Sequence, residues 1–497
     1  MRGPQEVLLP KVYAFVSHQQ LPMPLLALLA PIVTLLPQQG GAAPQARAAD
    51  VPKPPVRMIA EWEPAKGAMI RWPLKVPDAC VVELAEDDTL FLLVNEQDEA
   101  AARAKMQALH IAPEHLQVVR CSVASDWPRD WGPHQLFDGD GRWCMVDHVF
   151  SGYPIYDRAP KDRAPQMTID TGPGDDAVSG ELAAKCGAHL VPFPATLTGG
   201  NFLNDGHGTA FCTQALLDEA RAHCSEAELR AMLAARMGID RLVVLENTEV
   251  TGIQHIDCWL KVLDAERLLI KRPPKGHNEE APIERNLTKL RQLKNAFGRP
   301  YEIVRIDCPR VKVLEFDEHE PIAAYTNSLI LNQKVLVPLY QVDGDAAAIA
   351  TWQRAMPGHE VVGFAWDRWL HFDALHCRSR AVFDRDMLRL AHAPLPAQVT
   401  AGERGVEVSA WIRSLGEAQI DADACCVRFR VAGAADWQRA PLRRVDGDVW
   451  RAALQELGDG AQVEYCLEAR DTGGEVRVHP VGAPRVTHAF QVRVIDR

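Results

Sequence analysis

The stretch EQDEAAARAKMQALHIAPEHLQVVRCSVASDWPRDWGP (residues 96–133) carries three kinds of segment in succession. EQDEAAARAKMQALH is rich in Ala, Glu and Arg with apolar residues at i, i+3 and i+4, which predicts a helix. LQVVRC is a β-branched run and predicts a short strand. SDWPRDWGP is polar and punctuated by Pro and Gly, which predicts a connecting loop.

The same order returns four times along the chain. DDAVSGELAAKCG, HLVPF and PATLTGGNFLNDG form the second unit, and TQALLDEARAHCSEAELRAMLAARMG, RLVVLE and NTEVTGIQHIDC the third. APIERNLTKLRQLKNAFG and YEIVRI, with AAYTNS further on, make the fourth; DAAAIATWQRAMPG, EVVGFAW and DRWLHFDALHC make the fifth. CWLKVLDAERLLIK and SLILNQKVLVPLY, lying between units, predict hairpins. A period of about 50–70 residues predicts a ring of repeated β/α modules rather than one doubly wound sheet. In such a ring the five polar segments converge near one axis.

Those segments supply Asp130, the Gly199-Gly200-Asn201 turn, His255 with Asp257, Asn327 and Cys377. Taken as a strand, QHIDCW points His255 and Asp257 to one face and Cys258 to the other. Two carboxylates, a histidine and a cysteine suit a planar cation. A guanidinium offers five N–H donors in a fixed fork, and carboxylates accept them in pairs. Asp130 and Asp257 would hold the ion and leave its central carbon open to the Cys377 thiolate. A bound cation and a neighbouring histidine would favour that thiolate. His255 is then placed to protonate departing ammonia and to activate water. Each part has a plainer reading: Asp130 as a turn residue or an Arg129 partner, His255 and Asp257 as structural groups, Cys377 as a packed thiol. The Gly-Gly turn lacks phosphate-loop spacing and reads as a close backbone approach. A zinc site from His255, Cys258, His376 and Cys377 can be drawn, but the CxxC-type spacings are missing.

With 497 residues the chain has room for two or more domains, and 47% apolar with 24% charged residues is ordinary for a globular protein. A net charge of −12 argues against a nucleic-acid partner, which demands a basic surface. After about Leu395 the pattern becomes short alternating strands (GVEVSAWIRS, CCVRFRV, DVWRAALQ, QVEYCLEARD, HAFQVRV), which predict a β-sandwich. At the other end LPMPLLALLAPIVTLLPQQ is apolar but short and proline-rich for a membrane span. Ala46-Arg47-Ala48 then fits a small-x-small cleavage site, so an exported, secreted or periplasmic protein is expected. The alternatives are a disordered leader, or a start at Met23. The 12 cysteines show no compact framework and do not settle the compartment.

In order, MIAEWEPAKGAMIRWP, DWPRDWGP, GGNFLNDGHGT, IQHIDCWLKVL, YTNSLILNQKVLVPLY and ALHCRSR resemble the bacterial, Porphyromonas-type peptidylarginine deiminases and the agmatine deiminases. The resemblance spans roughly residues 55–390. It implies a five-bladed α/β-propeller (pentein) of ββαβ modules over residues 55–392, a leader and linker over 1–54, and an immunoglobulin-like β-sandwich over 393–497. It implies Cys377 as nucleophile, His255 as general acid/base, Asp130 and Asp257 as guanidinium ligands, and Asn327 as an assistant near the cysteine. Trp127 would pack on the substrate's aliphatic stem. No metal or organic cofactor is implied, and no calcium. FDALHCR, in place of the Gly-rich GGGNIHC approach of agmatine deiminases, looks like the peptidylarginine branch, with an arginine-containing peptide or protein as partner. The branch grips a C-terminal carboxylate with paired arginines; here Arg158 falls in such a place, with Lys161 or Arg163 as stand-ins. Deimination of agmatine or another small guanidine is the enzymatic alternative, and an extracellular binding module the non-enzymatic one.

Overall fold

The computed structural model describes residues 51–153, 173–249, 253–312 and 321–494. Residues 57–383 form five separate sheets of three or four strands. Three of them share one plan: an antiparallel hairpin, a helical crossover, then a strand parallel to the hairpin's second strand. These are Leu203–Asn204, Thr209–Thr213 and Arg241–Leu245; Leu260–Val262, Arg267–Arg272 and Glu302–Asp307; and Leu329–Leu331, Lys334–Leu339 and Glu360–Ala365. Both hairpins expected from sequence are therefore present. Parallel neighbours cannot be joined by a tight turn, so each plan requires its intervening helix.

The remaining two sheets join chain-distant strands. Arg57–Met58 precedes His134–Phe137, Trp143–Val149 and His189–Thr196 in one. In the other, Arg380–Phe383, directly after Cys377, pairs antiparallel with Ala65–Arg71, which continues in parallel to Thr89–Val94 and Leu116–Arg120. The last strand of this region thus completes its first sheet. Thr89–Val94 is buried over five consecutive residues, as a strand covered on both faces must be.

Helix spacing explains the packing. Ile283, Leu287 and Leu290 lie on one face of the helix Glu280–Leu290 and share a core with Leu268 and Ile270. Ala348, Trp352 and Ala355 do the same on Gly344–Ala355, against Val335 and Val337. The helical stretch 213–238 is two helices, Gln214–Ala220 and Glu226–Met237. Ser225 starts the second with a reciprocal capping box to Glu228, a local bond that competes with a continuous helix.

From Leu388 strand pairing changes partner, since Leu388–Ala391 already pairs with Val406–Ser414. Two sheets follow, one of four strands and one of six. Val408, Ala410, Ile412 and Trp450 of one share a core with Val427, Phe429, Tyr465 and Phe490 of the other. Val406–Ser414 alternates buried and less buried residues, the pattern of a strand with one face inward. No described helix is long and apolar enough to cross a membrane.

Candidate active site

Cys377 sits in a buried turn that Asn327 holds in shape. Asn327 Oδ1 accepts from the backbone N–H groups of Ala374 (3.1 Å), His376 (3.0 Å) and Cys377 (3.3 Å), while its Nδ2 lies 3.2 Å from Cys377 Sγ. The Arg129 N–H donates to the Cys377 carbonyl at 3.3 Å, tying this turn to the short helix Pro128–Trp131. That helix carries Asp130. Its Oδ1 accepts from the Gly200 N–H at 2.9 Å and its Oδ2 from the Tyr153 hydroxyl at 2.6 Å.

His255 and Asp257 arrive on a turn of 3-10 helix, Ile256–Cys258, and not on the strand expected from QHIDCW. Gln254 has φ 61°, which breaks extended backbone just before His255. Asn201 Oδ1 then accepts from the Ile256 N–H at 3.2 Å and fixes the turn locally. The two side chains still converge. His255 Nδ1 lies 3.6 Å from Asp130 Oδ1, and Asp257 Oδ2 lies 3.6 Å from Cys377 Sγ. Both His255 ring nitrogens are buried and make no hydrogen bond among the described residues.

Gly200 lies where these groups meet. A Cβ there would fall 2.6 Å from Asp130 Oδ1, 2.6 Å from His255 Nδ1 and 3.2 Å from Asp257 Oδ2. Only bare backbone fits, as a close approach requires. Asp130, His255, Asp257, Asn327 and Cys377 are each at most 1% exposed.

Burial, reinforced by Asp257, Asp373 and Asp130, pushes the Cys377 thiol well above its ordinary range. The expected thiolate-favouring histidine is not in hydrogen-bond contact with Sγ; a carboxylate stands there instead. Burial also raises Asp130, whose partners Tyr153 and Gly200 are neutral donors. Asp257 falls below the usual carboxylate range despite its burial, because His376 pairs with it.

That pairing belongs to a network the sequence reading missed. His376 Nδ1 is 2.7 Å from Asp257 Oδ2, and its Nε2 is 2.6 Å from Glu61 Oε2. Glu61 Oε1 in turn pairs with Lys261 Nζ at 2.5 Å, and Arg129 Nη2 stands 3.5 Å from Glu61 Oε2. Glu61 is held well below the carboxylate range, against its burial, by Lys261, His376 and Arg129. So Asp130 is not the partner of Arg129; Glu61 is. A charged residue in the apolar run MIAEW and a histidine beside the cysteine were the available signals. Tyr153 gave none.

Trp127 is half-buried, edge-on to Tyr153 with centroids 5.5 Å apart. Arg158, Lys161 and Arg163 lie outside the described residues. Among the described residues no group of three or more His, Cys, Asp or Glu is arranged to hold a metal ion.

Comparison with known proteins gives a consistent family. The Porphyromonas-type peptidyl-arginine deiminase family matches residues 57–382. An agmatine deiminase of Pseudomonas aeruginosa is 26% identical over 349 residues, covering 62% of this chain and 89% of that protein. In three dimensions the chain is similar to the agmatine deiminase of Enterococcus faecalis, with TM-score 0.54 and 20% identity over 66% of this chain and 96% of that one. A Porphyromonas gingivalis chain matches with TM-score 0.56 and 20% identity over 66% and 99%. The α/β fold, the ordered motifs and the matched span agree: the chain belongs to the Porphyromonas-type peptidyl-arginine deiminase family, hydrolases that act on the C–N bonds of amidines.

Proposed function

We propose that this protein deiminates arginine in peptides or proteins, giving a ureido (citrulline) side chain and ammonia, with Cys377 as nucleophile. The observation that carries the reading is the convergence of Asp130, His255 and Asp257 on Gly200, with Asp257 Oδ2 3.6 Å from the Cys377 sulfur. Asp130 and Asp257 hold the guanidinium. Its positive charge offsets the carboxylates that keep Cys377 protonated, so substrate binding itself favours the thiolate, and the thiol proton passes to His255. The thiolate attacks the guanidinium carbon to give a tetrahedral adduct. The bond to one terminal nitrogen breaks, that nitrogen takes a proton from His255 and leaves as ammonia. Water, deprotonated by His255, then adds to the S-alkylthiouronium, and the C–S bond breaks to release the ureido product and the thiolate. Asn327 shapes the cysteine turn, and Trp127 flanks the substrate stem.

The five sheets read as blades of a propeller closed by the pairing of Arg380–Phe383 with Ala65–Arg71, and the two C-terminal sheets as an immunoglobulin-like sandwich. The apolar leader supports export. Arg158 is proposed to meet a peptide's carboxylate.

FDALHCR favours peptide substrates, whereas the relatives named agmatine deiminases favour a small guanidine. Incubation with an arginine-terminated peptide, an internal-arginine peptide and agmatine, with detection of ureido product, separates the two. The peptides are expected to turn over; turnover of agmatine alone would establish the second reading. Ammonia release unchanged by Cys377→Ala would overturn both.

A further inference from the structure

Beyond Glu61 lies a cavity of about 40 Å³, which Cys377, Asp130, His255 and Asp257 do not line. Glu61, Arg129, His134, Lys261 and Arg380 contribute its polar wall. Three of these are cations and only one is a carboxylate. Glu61 is already shared among several partners: Oε1 by Lys261 and the Ile330 N–H, Oε2 by His376 and, at 3.5 Å, Arg129. Arg129 donates through Nε to the His376 carbonyl at 3.1 Å; its buried Nη2 is ion-paired with Glu61 Oε2 at 3.5 Å but makes no hydrogen bond among the described residues.

Arg380 is more exposed to imbalance still. It donates to the Arg129 carbonyl and to His134 Nδ1, the latter at 2.9 Å, and makes no ion pair among the described residues. His134 Nε2 faces the Leu197 carbonyl at 3.0 Å, which can only accept, so Nδ1 is the bare, neutral acceptor. Burial, with Arg129 adding to it, drives the Arg380 guanidinium well below its ordinary range. Burial also takes Lys261 down to about 8. Buried cations without matching anions are costly.

We propose that this cavity is a binding site for a small inorganic monoanion of the halide class, held by Arg129, Lys261 and Arg380. Its size suits that guest: a single water needs about 10–15 Å³ of such space, so a halide with a water fits. The site is coupled to the catalytic pocket. Asp130 attracts Arg380 and Asp257 attracts Lys261 through the intervening protein. A guanidinium on those carboxylates draws off that attraction and leaves the three cations to Glu61 alone. Anion and guanidinium therefore favour each other's binding, reciprocally. This coupling rests on the deiminase reading; the anion site does not.

Crystals of the full chain soaked in sodium bromide, measured at the bromine edge, test the site directly. An anomalous peak in hydrogen-bond reach of Arg129 Nη2 and Arg380 is expected; a cavity without bromine signal overturns the proposal. In solution, chloride should raise the melting temperature above that in gluconate at equal ionic strength, and Arg380→Met should abolish the difference. An equal rise in the variant overturns the assignment to Arg380, and should the variant fail to fold, the bromide result decides. A guanidine KM lower in chloride than in gluconate supports the coupling. An unchanged KM with bromide in the cavity overturns the coupling alone, and absence of any turnover overturns the deiminase reading while the anomalous peak still reports the site.

Discussion

The Cys377 sulfur faces the oxygen of a carboxylate, a poor environment for a nucleophilic anion until a cation arrives. Two outcomes follow at this scale. Without substrate, the thiolate absorbance assigned by difference between wild type and Cys377→Ser should titrate above pH 9, because burial and three aspartates favour the thiol. A midpoint near neutrality would show that a histidine, and not the substrate, activates the sulfur. Asp257→Asn removes half the proposed guanidinium clamp and the His376 pairing together, and kcat/KM should fall by about a thousandfold, roughly 4 kcal/mol of transition-state stabilisation. Kinetics within about tenfold of wild type would contradict the two-carboxylate clamp. Cys377, His255, both aspartates and Asn327 were legible only as a set, because each follows a repeated module in a polar segment and the ordered motifs resemble one family. Glu61 and Tyr153 were not, because their partners lie 315 and 23 residues away and only the fold joins them.

Short irregular elements, more than helices or strands, place the chemistry. The 3-10 turns Gly199–Asn201 and Ile256–Cys258 and the helix Pro128–Trp131 each deliver one wall of the site. Alternation along QHIDCW misread the second of these as a strand, since the period-2 rule takes no account of a left-handed residue such as Gln254 at φ 61°. Single periodic helices and β-branched runs were read well, because their patterns reflect burial that the folded sheets do supply; the longest helical stretches were not, since the Ser225 cap divides 213–238 and the helix begun at Glu280 ends at Leu290. Gly200→Ala tests the element scale. The methyl would meet Asp130 and His255 at 2.6 Å, so the two groups must shift. A loss of about a hundredfold in kcat/KM is expected from such misplacement, with far-ultraviolet circular dichroism unchanged. Wild-type kinetics in a folded Gly200→Ala protein would show that the approach of the three groups is not required.

Across the whole molecule residues 57–383 and the C-terminal sheets meet through charged contacts. Arg389 pairs with Glu63 at 2.8 Å, and Arg299 donates to the Pro394 carbonyl at 2.6 Å. Behind them His392, His479 and His488 cluster with ring centroids 5.0 to 5.6 Å apart. Asp264, Arg267 and Arg299 are the charged groups acting on them, and Tyr465 and the Ser409 carbonyl bond His392. Burial lowers the three to about 3, about 4 and about 2, from 6.5. Folded values below unfolded ones mean that this stability is present above about pH 6.5 and is lost as pH falls. Each histidine held neutral removes about 1.4 kcal/mol per pH unit in that window. Thermal melts from pH 7 to 5 should show this loss, and His488→Gln should flatten it; an identical slope would place the acid sensitivity elsewhere. The five repeated units were legible from their common order of helix, strand and loop, whereas the pairing of the last strand with the first sheet has no local signature. Covalent catalysis by Cys377 can be caught by rapid-quench mass spectrometry with an arginine peptide. A Cys377 peptide heavier by the substrate less ammonia is expected, appearing before ureido product. Product formed at full rate with no adduct on Cys377, or by Cys377→Ser, would contradict it.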